Sequence, residues 1–162
     1  TDDGSQSQCV IALYPNAAQD EDYLVFKTNG HEIFKAGVDL AYITPKLVLG
    51  HEKAGSQDDL NKYAKNDSTA SVCSKVAIGD RVSVLGYPSI GGDTLTVTDG
   101  IVSGFELRSG SRYVKTSAKI DQGNSGGIAI KDTGCVIGVP TFVQSSIESL
   151  GRILDLNDLF ED

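Results

Sequence analysis

Three features of this 162-residue chain predict an all-β protein. After residue 76, six β-prone runs follow one another with no convincing helix between them. The pairs Gly91-Gly92, Ser109-Gly110 and Thr133-Gly134 punctuate some of them as turns. The composition, with 18 glycines, 40% apolar residues and 7% aromatics, is globular and tilted towards turn-rich β structure. Antiparallel strands at that spacing predict a closed barrel or a sandwich.

Val10 to Tyr14 is a short apolar run ended by Pro15-Asn16, which predicts a strand and a turn. Tyr23 to Lys27 and Ile33 to Ala36 flank Thr28-Asn29-Gly30, and Asn-Gly between β-prone runs predicts a hairpin. Val38 to Ile43 is the next strand, and Asp39 stands out within it. A carboxylate inside an apolar strand is either hydrogen-bonded and paired, because bare burial is costly, or caps a turn at the strand end. Residues 50 to 75 are polar and lack β periodicity. Asp58 to Ala64 there has the helical spacing of Leu60, Tyr63 and Ala64, and the stretch predicts a crossover between two lobes. The later strands are Arg81 to Val84, Thr94 to Gly104, Tyr113 to Lys119, Gly127 to Lys131, Val136 to Val143 and Arg152 to Leu156. Asn157 supplies an N-cap before Leu159 and Phe160, so a helix begins near residue 157.

The formal net charge of −8 argues against a nucleic-acid partner, whose phosphates need a basic surface. No apolar run approaches the roughly 20 residues that span a bilayer, and the polar, acidic stretch Thr1 to Gln8 is not a signal peptide. Cys9, Cys73 and Cys135 are widely spaced without a C-x-x-C, so they do not form a zinc site. They allow one disulfide and a leftover thiol, or a further cysteine elsewhere. Asp20-Glu21-Asp22 lacks calcium-ligand spacing and is expected to be a solvated loop. No cofactor or metal is expected.

The stretch richest in chemistry is Gly123-Asn124-Ser125-Gly126-Gly127. Glycines around a serine let the backbone turn sharply and set N–H groups beside an exposed hydroxyl. A serine nucleophile needs that arrangement, since the hydroxyl attacks a carbonyl and the N–H groups receive the oxyanion. A glycine-rich turn with an incidental serine is the plainer alternative. The α/β-hydrolase elbow requires a helix after the serine, then Asp and His. Here Ile128-Ala129-Ile130 continues as a strand, and the only histidines, His31 and His51, both precede Ser125. An Asp ahead of the Ser fits the order His, Asp, Ser instead.

Five pieces then occur in order: Asp39-Leu40-Ala41; Gly79-Asp80-Arg81-Val82 with Gly86-Tyr87-Pro88; Val97-Thr98-Asp99-Gly100-Ile101-Val102-Ser103; Gly123 to Gly127; and Val136-Ile137-Gly138. Together they resemble the trypsin-like serine proteases, particularly the bacterial Deg/HtrA-type protease domain, from about residue 23 to 160. The resemblance implies two six-stranded β-barrels, the second complete and the first partial. It divides the chain into 1–49 (part of the first barrel), 50–75 (crossover) and 76–162 (second barrel and the start of a helix). It makes Ser125 the nucleophile, Asp39 the acid that orients a histidine, and the N–H groups of Gly123 and Ser125 the oxyanion hole. The strand from Val139 through Thr141 to Phe142 pairs with substrate, although Pro140 has no N–H to offer. Ile120 and Val139 lie near the first specificity pocket, and Lys119 stands where trypsin itself has an acid. Peptide or unfolded-protein substrates and an extracytoplasmic location are further implications.

One part of the pattern is missing. The family's histidine precedes its aspartate by tens of residues, but His31 is only eight residues ahead of Asp39 and matches an ordinary strand position, while His51 follows it. The first barrel likewise shows only three or four strands. The expectation is a processed or truncated serine endopeptidase lacking the section with the histidine, whose open strand edges pair with that section or with another copy. The other reading is a non-catalytic relative that keeps the cleft to bind peptides or proteins.

Overall fold

In a computed structural model, residues 10–13, 24–33, 41–47, 56–58, 61, 70–88, 91, 94–141 and 150–160 are described. The chain forms two compact units, Thr1–Thr69 and Ala70–Asp162. Nine strands and a short helix after the last of them are described, an all-β architecture with one closed six-stranded barrel.

In the first unit, β1 (Val10–Leu13), β2 (Leu24–Ile33) and β3 (Ala41–Leu47) form an antiparallel sheet in the order β1-β2-β3. The hairpin expected at Asn29-Gly30 is not there. β2 runs straight through it, and the register against β3 shifts between Thr28 and His31. Thr28 opposes Pro45 and His31 opposes Ile43, so β2 carries one residue more than its partner. Asn-Gly is thus absorbed in a β-bulge, which takes up one extra residue without reversing the chain. Asp39, His51 and the acidic run Asp20–Asp22 lie outside the described residues. Gln57, Asp58 and Asn61 are helical, with Gln57 Nε2 donating to Asn61 Oδ1 at 3.3 Å, inside the crossover stretch.

The second unit is a closed antiparallel barrel in the order β4-β5-β6-β9-β8-β7. Its strands are β4 (Arg81–Gly86), β5 (Thr96–Arg108), β6 (Ser111–Thr116), β7 (Ile128–Lys131), β8 (Val136–Thr141) and β9 (Gly151–Asp155). All six predicted strands are present. Alternation places Val82 and Val84 of β4 inside, with Val102, Val114, Ala129, Ile137 and Ile153 from the other strands. Among the described residues, closure leaves no free ladder edge in this unit, which removes the hazard of an open sheet.

Two staples hold the barrel's flanks. Cys73 and Cys135 are joined by a disulfide with a Cα separation of 5.0 Å. Beside it, Val72 and Val136 form a parallel bridge, with Cys73 N–H donating to Val136 O and Val136 N–H to Ser71 O, both at 2.8 Å. The helix Leu156–Phe160 that follows β9 is capped two residues earlier than expected. Asp155 is the N-cap, its Oδ1 accepting from the Asn157 N–H at 3.1 Å. Asn157 was the expected cap, but buried Asp155 has the β-region backbone of a strand end that an N-cap needs.

Candidate active site

The site begins at two consecutive tight turns that share Asn124. Asn124 N–H donates to Asp121 O at 3.0 Å and Gly127 N–H to Asn124 O at 2.9 Å, so Asp121–Asn124 and Asn124–Gly127 each close by an i to i+3 bond. The third residue of each turn is a glycine at positive φ, Gly123 at 98° and Gly126 at 83°. Turns of that type need φ > 0 at this position, which glycine adopts without steric cost. Ser125 falls just before the second of these glycines and is exposed.

Packing holds the double turn in place. A Cβ on Gly123 would collide with the Tyr87 carbonyl oxygen, and one on Gly127 with the Leu85 carbonyl oxygen. The turn is therefore pressed against the end of β4. On its other side Gly126 N–H donates to Pro140 O on β8 at 3.2 Å. The approach to the turn is fixed from β5, where Thr98 Oγ1 donates to Lys119 O at 2.7 Å. Gly100 is the contact point, because a Cβ there would collide with the Ala118 amide. Two of the pieces that the sequence pattern spread along the chain, Gly86-Tyr87-Pro88 and Val97 to Ser103, thus meet the segment that carries Ser125.

Asn124 is the residue that the sequence did not single out. Its side chain is wholly buried against the backbone of Gly86, and neither its amide oxygen nor its amide nitrogen has a hydrogen-bond partner among the described residues. An unpaired buried amide costs about 1–3 kcal/mol. Its identity as a polar residue is visible in the sequence; its burial is not.

The remaining expected positions take definite places. Ile120 is half-buried, packs against the barrel core and lies over Gly151, its Cδ1 2.7 Å from where a Cβ on that glycine would stand. Lys119 is exposed. Val139 is paired with Leu154 and Thr141 with Arg152, so one edge of β8 is taken by β9. At Pro140 the carbonyl is occupied by Gly126 N–H. Phe142, like Asp39, lies outside the described residues. His31 is in β2 of the first unit, opposite Ile43. No histidine belongs to the unit that holds Ser125.

Ser125 opens onto a groove of about 430 Å³ lined by Leu85, Gly86, Tyr87, Leu95, Ile128 and the glycines of the turn. Among the described residues no cluster of His, Cys, Asp and Glu could hold a metal ion. No helix among them is long and apolar enough to cross a membrane.

Comparison with known proteins gives the family and the fold. Residues 35–139 match the family model described as the trypsin-like peptidase domain. The chain is 46% identical to Protease Do-like 2, chloroplastic, of Arabidopsis thaliana over 46% of this chain and 14% of that protein. It is 32% identical to Serine protease Do-like HtrB of Bacillus subtilis over 60% of this chain and 24% of that protein. A third relative, 36% identical over 52% of this chain and 17% of its own length, is the probable periplasmic serine protease do/HhoA-like of Haemophilus influenzae. The chain thus spans less than a quarter of the length of the curated relatives it matches. Among solved structures, the inactive form of the Rv3671c protease is similar in fold, with a TM-score of 0.58 and 22% identity over 83% of this chain and 64% of that one.

Proposed function

The chain belongs to the trypsin-like peptidase family, and from that premise we propose that it is the nucleophile-bearing part of a Deg/HtrA-type serine endopeptidase acting on peptides or unfolded proteins. The observation that carries this reading is the double turn Asp121–Gly127, which leaves Ser125 exposed between the peptide groups of Gly123 and Gly126. In the proposed reaction, Ser125 Oγ attacks the scissile carbonyl and passes its proton to a histidine that Asp39 orients. The N–H groups of Gly123 and Ser125 receive the oxyanion. The histidine then protonates the leaving amine, and water releases the acyl group from Ser125. Val139 and Thr141 line the acyl-side substrate path, with Ile120 near the pocket for the residue before the scissile bond.

The proposal takes the histidine from sequence beyond these 162 residues. By family order it stands well ahead of Asp39, where neither His31 nor His51 lies. Without it the chain retains only the residual catalysis of an oxyanion hole, roughly 10³–10⁴-fold over water. The ladder edges of β1 and β3 in the first unit are where such a section, or a second copy, would pair. The Cys73–Cys135 disulfide and the periplasmic designation of one relative support an extracytoplasmic setting. A second reading, a non-catalytic peptide-binding relative, draws on the positions of His31 and His51, neither of which stands where the family keeps its histidine.

A fluorophosphonate probe separates the two. The natively expressed protein is expected to label at Ser125 and its Ser125→Ala variant is not, with the 162-residue chain labelling far more slowly. If neither protein form labels while a reference serine protease does, the endopeptidase reading fails and the binding module stands.

A further inference from the structure

The groove beside Ser125 has a composition that the catalytic reading does not use. On β4, Val82, Val84 and Gly86 are buried, so Leu85 and Tyr87 face outward. In the barrel register Leu85 is paired with Val97 on β5 and with Ile128 on β7. Val97, Leu85 and Ile128 therefore form one cross-strand row on the outside of the barrel, with Val97 53% and Ile128 38% exposed. Leu95 and Tyr87, itself 41% exposed, extend the row to the nucleophile turn. None of the described residues lining the groove is charged. Apolar surface held open to water in this way is a mark of a recognition site.

Position fixes which part of a substrate reaches it. The double turn is held from two opposite sides: β8 through Gly126 N–H and Pro140 O, and the end of β4 through the close approach of Gly123 and Gly127. The groove lies wholly on the β4 side and includes no residue of β8, nor Ile120. A peptide bond attacked by Ser125 with its acyl half along β8 sends its other half across the turn, over Tyr87, Leu85 and Ile128. We propose that this groove is a specificity site for the leaving-group half of the substrate and takes a bulky apolar side chain immediately after the scissile bond. The inference rests on the peptide-substrate reading above and adds a preference to it. A groove of about 430 Å³ is within the ~300–1,000 Å³ range of preformed ligand clefts.

The test uses binding alone, so it is independent of catalytic competence. The probes are short peptides X-Ser-Gly-Ser-Gly with a free amino terminus, which mimic the leaving product, and a fluorophore at the carboxyl end. With X as Leu or Phe they are expected to bind the 162-residue chain roughly tenfold or more tighter than with X as Ser or Asp, the effect of burying one such side chain. Photoreactive leucine at X should cross-link to residues 85–87, 95 or 128. Ile128→Ser should abolish the preference, and Ile128→Glu should turn it towards X as Lys, a gain that misfolding cannot mimic. Leu107→Ser, at the 76% exposed position near the far end of β5, should leave it unchanged. Equal affinity for all X, or cross-links confined to other residues, would overturn the proposal. Apolar preference retained in a protein that never labels with fluorophosphonate would uphold the groove and remove only the hydrolase reading.

Discussion

Asp80 shows how a residue that looks like turn punctuation carries a barrel. Its carboxylate meets Lys131 Nζ of β7 at 2.8 Å and accepts from the Ala77 N–H at 2.8 Å, tying the turn before β4 to the strand that follows Ser125. The hydrogen bond from Lys131, then that from the Ala77 amide, holds its carboxyl below the ordinary value near 3.8. A carboxyl whose folded pKa is depressed adds stability above its unfolded pKa, and that contribution is lost as pH falls through the folded value. Asp80→Asn should therefore lower the urea midpoint by a constant amount above about pH 5, with the gap to wild type closing as pH falls below that range. A gap that stays constant down to pH 2 would show that the charge is not what matters. Sequence reading at this scale was uneven. The turn around Ser125 was legible because its glycines are adjacent in the chain. Asp155 was passed over as a cap in favour of Asn157, because a strand-end acid and a helix-start amide offer the same cue two residues apart. The groove was hidden for a different reason: Leu85, Leu95 and Ile128 sit in separate alternating runs, and alternation does not say which phase faces out near a turn.

Among the elements, strands that pair with near neighbours were the legible ones. β5 and β6 share a short Ser109-Gly110 connection, and β7 and β8 the Thr133-Gly134 turn, so local signals coincide with the tertiary pairing. The Asn29-Gly30 bulge defeated the same rule, since Asn-Gly serves in a hairpin or a bulge and only the partner strand decides between them. One disulfide was allowed by the three cysteines, but its pairing was not legible. Cys73 and Cys135 are 62 residues apart and meet only because the segment before β4 lies parallel to β8 at Val72 and Val136. Cross-linking a loop of that length removes denatured-state entropy worth roughly 4 kcal/mol in the chain-entropy model. Cys135→Ser, or reduction, should lower the unfolding free energy of the second unit by an amount of that order, read from denaturant melts with and without dithiothreitol. A change below about 1 kcal/mol would place the tether in a region already ordered in the denatured chain.

At the scale of the whole molecule, the two units differ, among the described residues, in how completely each satisfies its own backbone. The barrel of Ala70–Asp162 closes on itself, contains its disulfide, and holds a core that draws on all six strands together with Cys73 and Ala118. Three further ion pairs and caps are internal to it: Arg112 with Asp155 at 3.5 Å, Arg152 with Glu106 at 3.1 Å, and the Arg112 N–H on Asp158 at 3.0 Å. The described sheet of the first unit is three-stranded, and its outer ladders have no described partner. A closed barrel with its own staple has what independent folding requires, whereas three strands alone are close to the lower limit for a stable sheet. Expressed alone, residues 70–162 should fold, oxidise to one disulfide and unfold in a single cooperative transition. The Asp121–Gly127 turn should keep its amide protection, because every bond described in it is made within this unit. Residues 1–69 alone should show no cooperative transition. If 70–162 instead unfolds without cooperativity while the full chain melts as one, the nucleophile turn depends on the first unit, and the family's division of labour between barrels extends to stability as well as to chemistry.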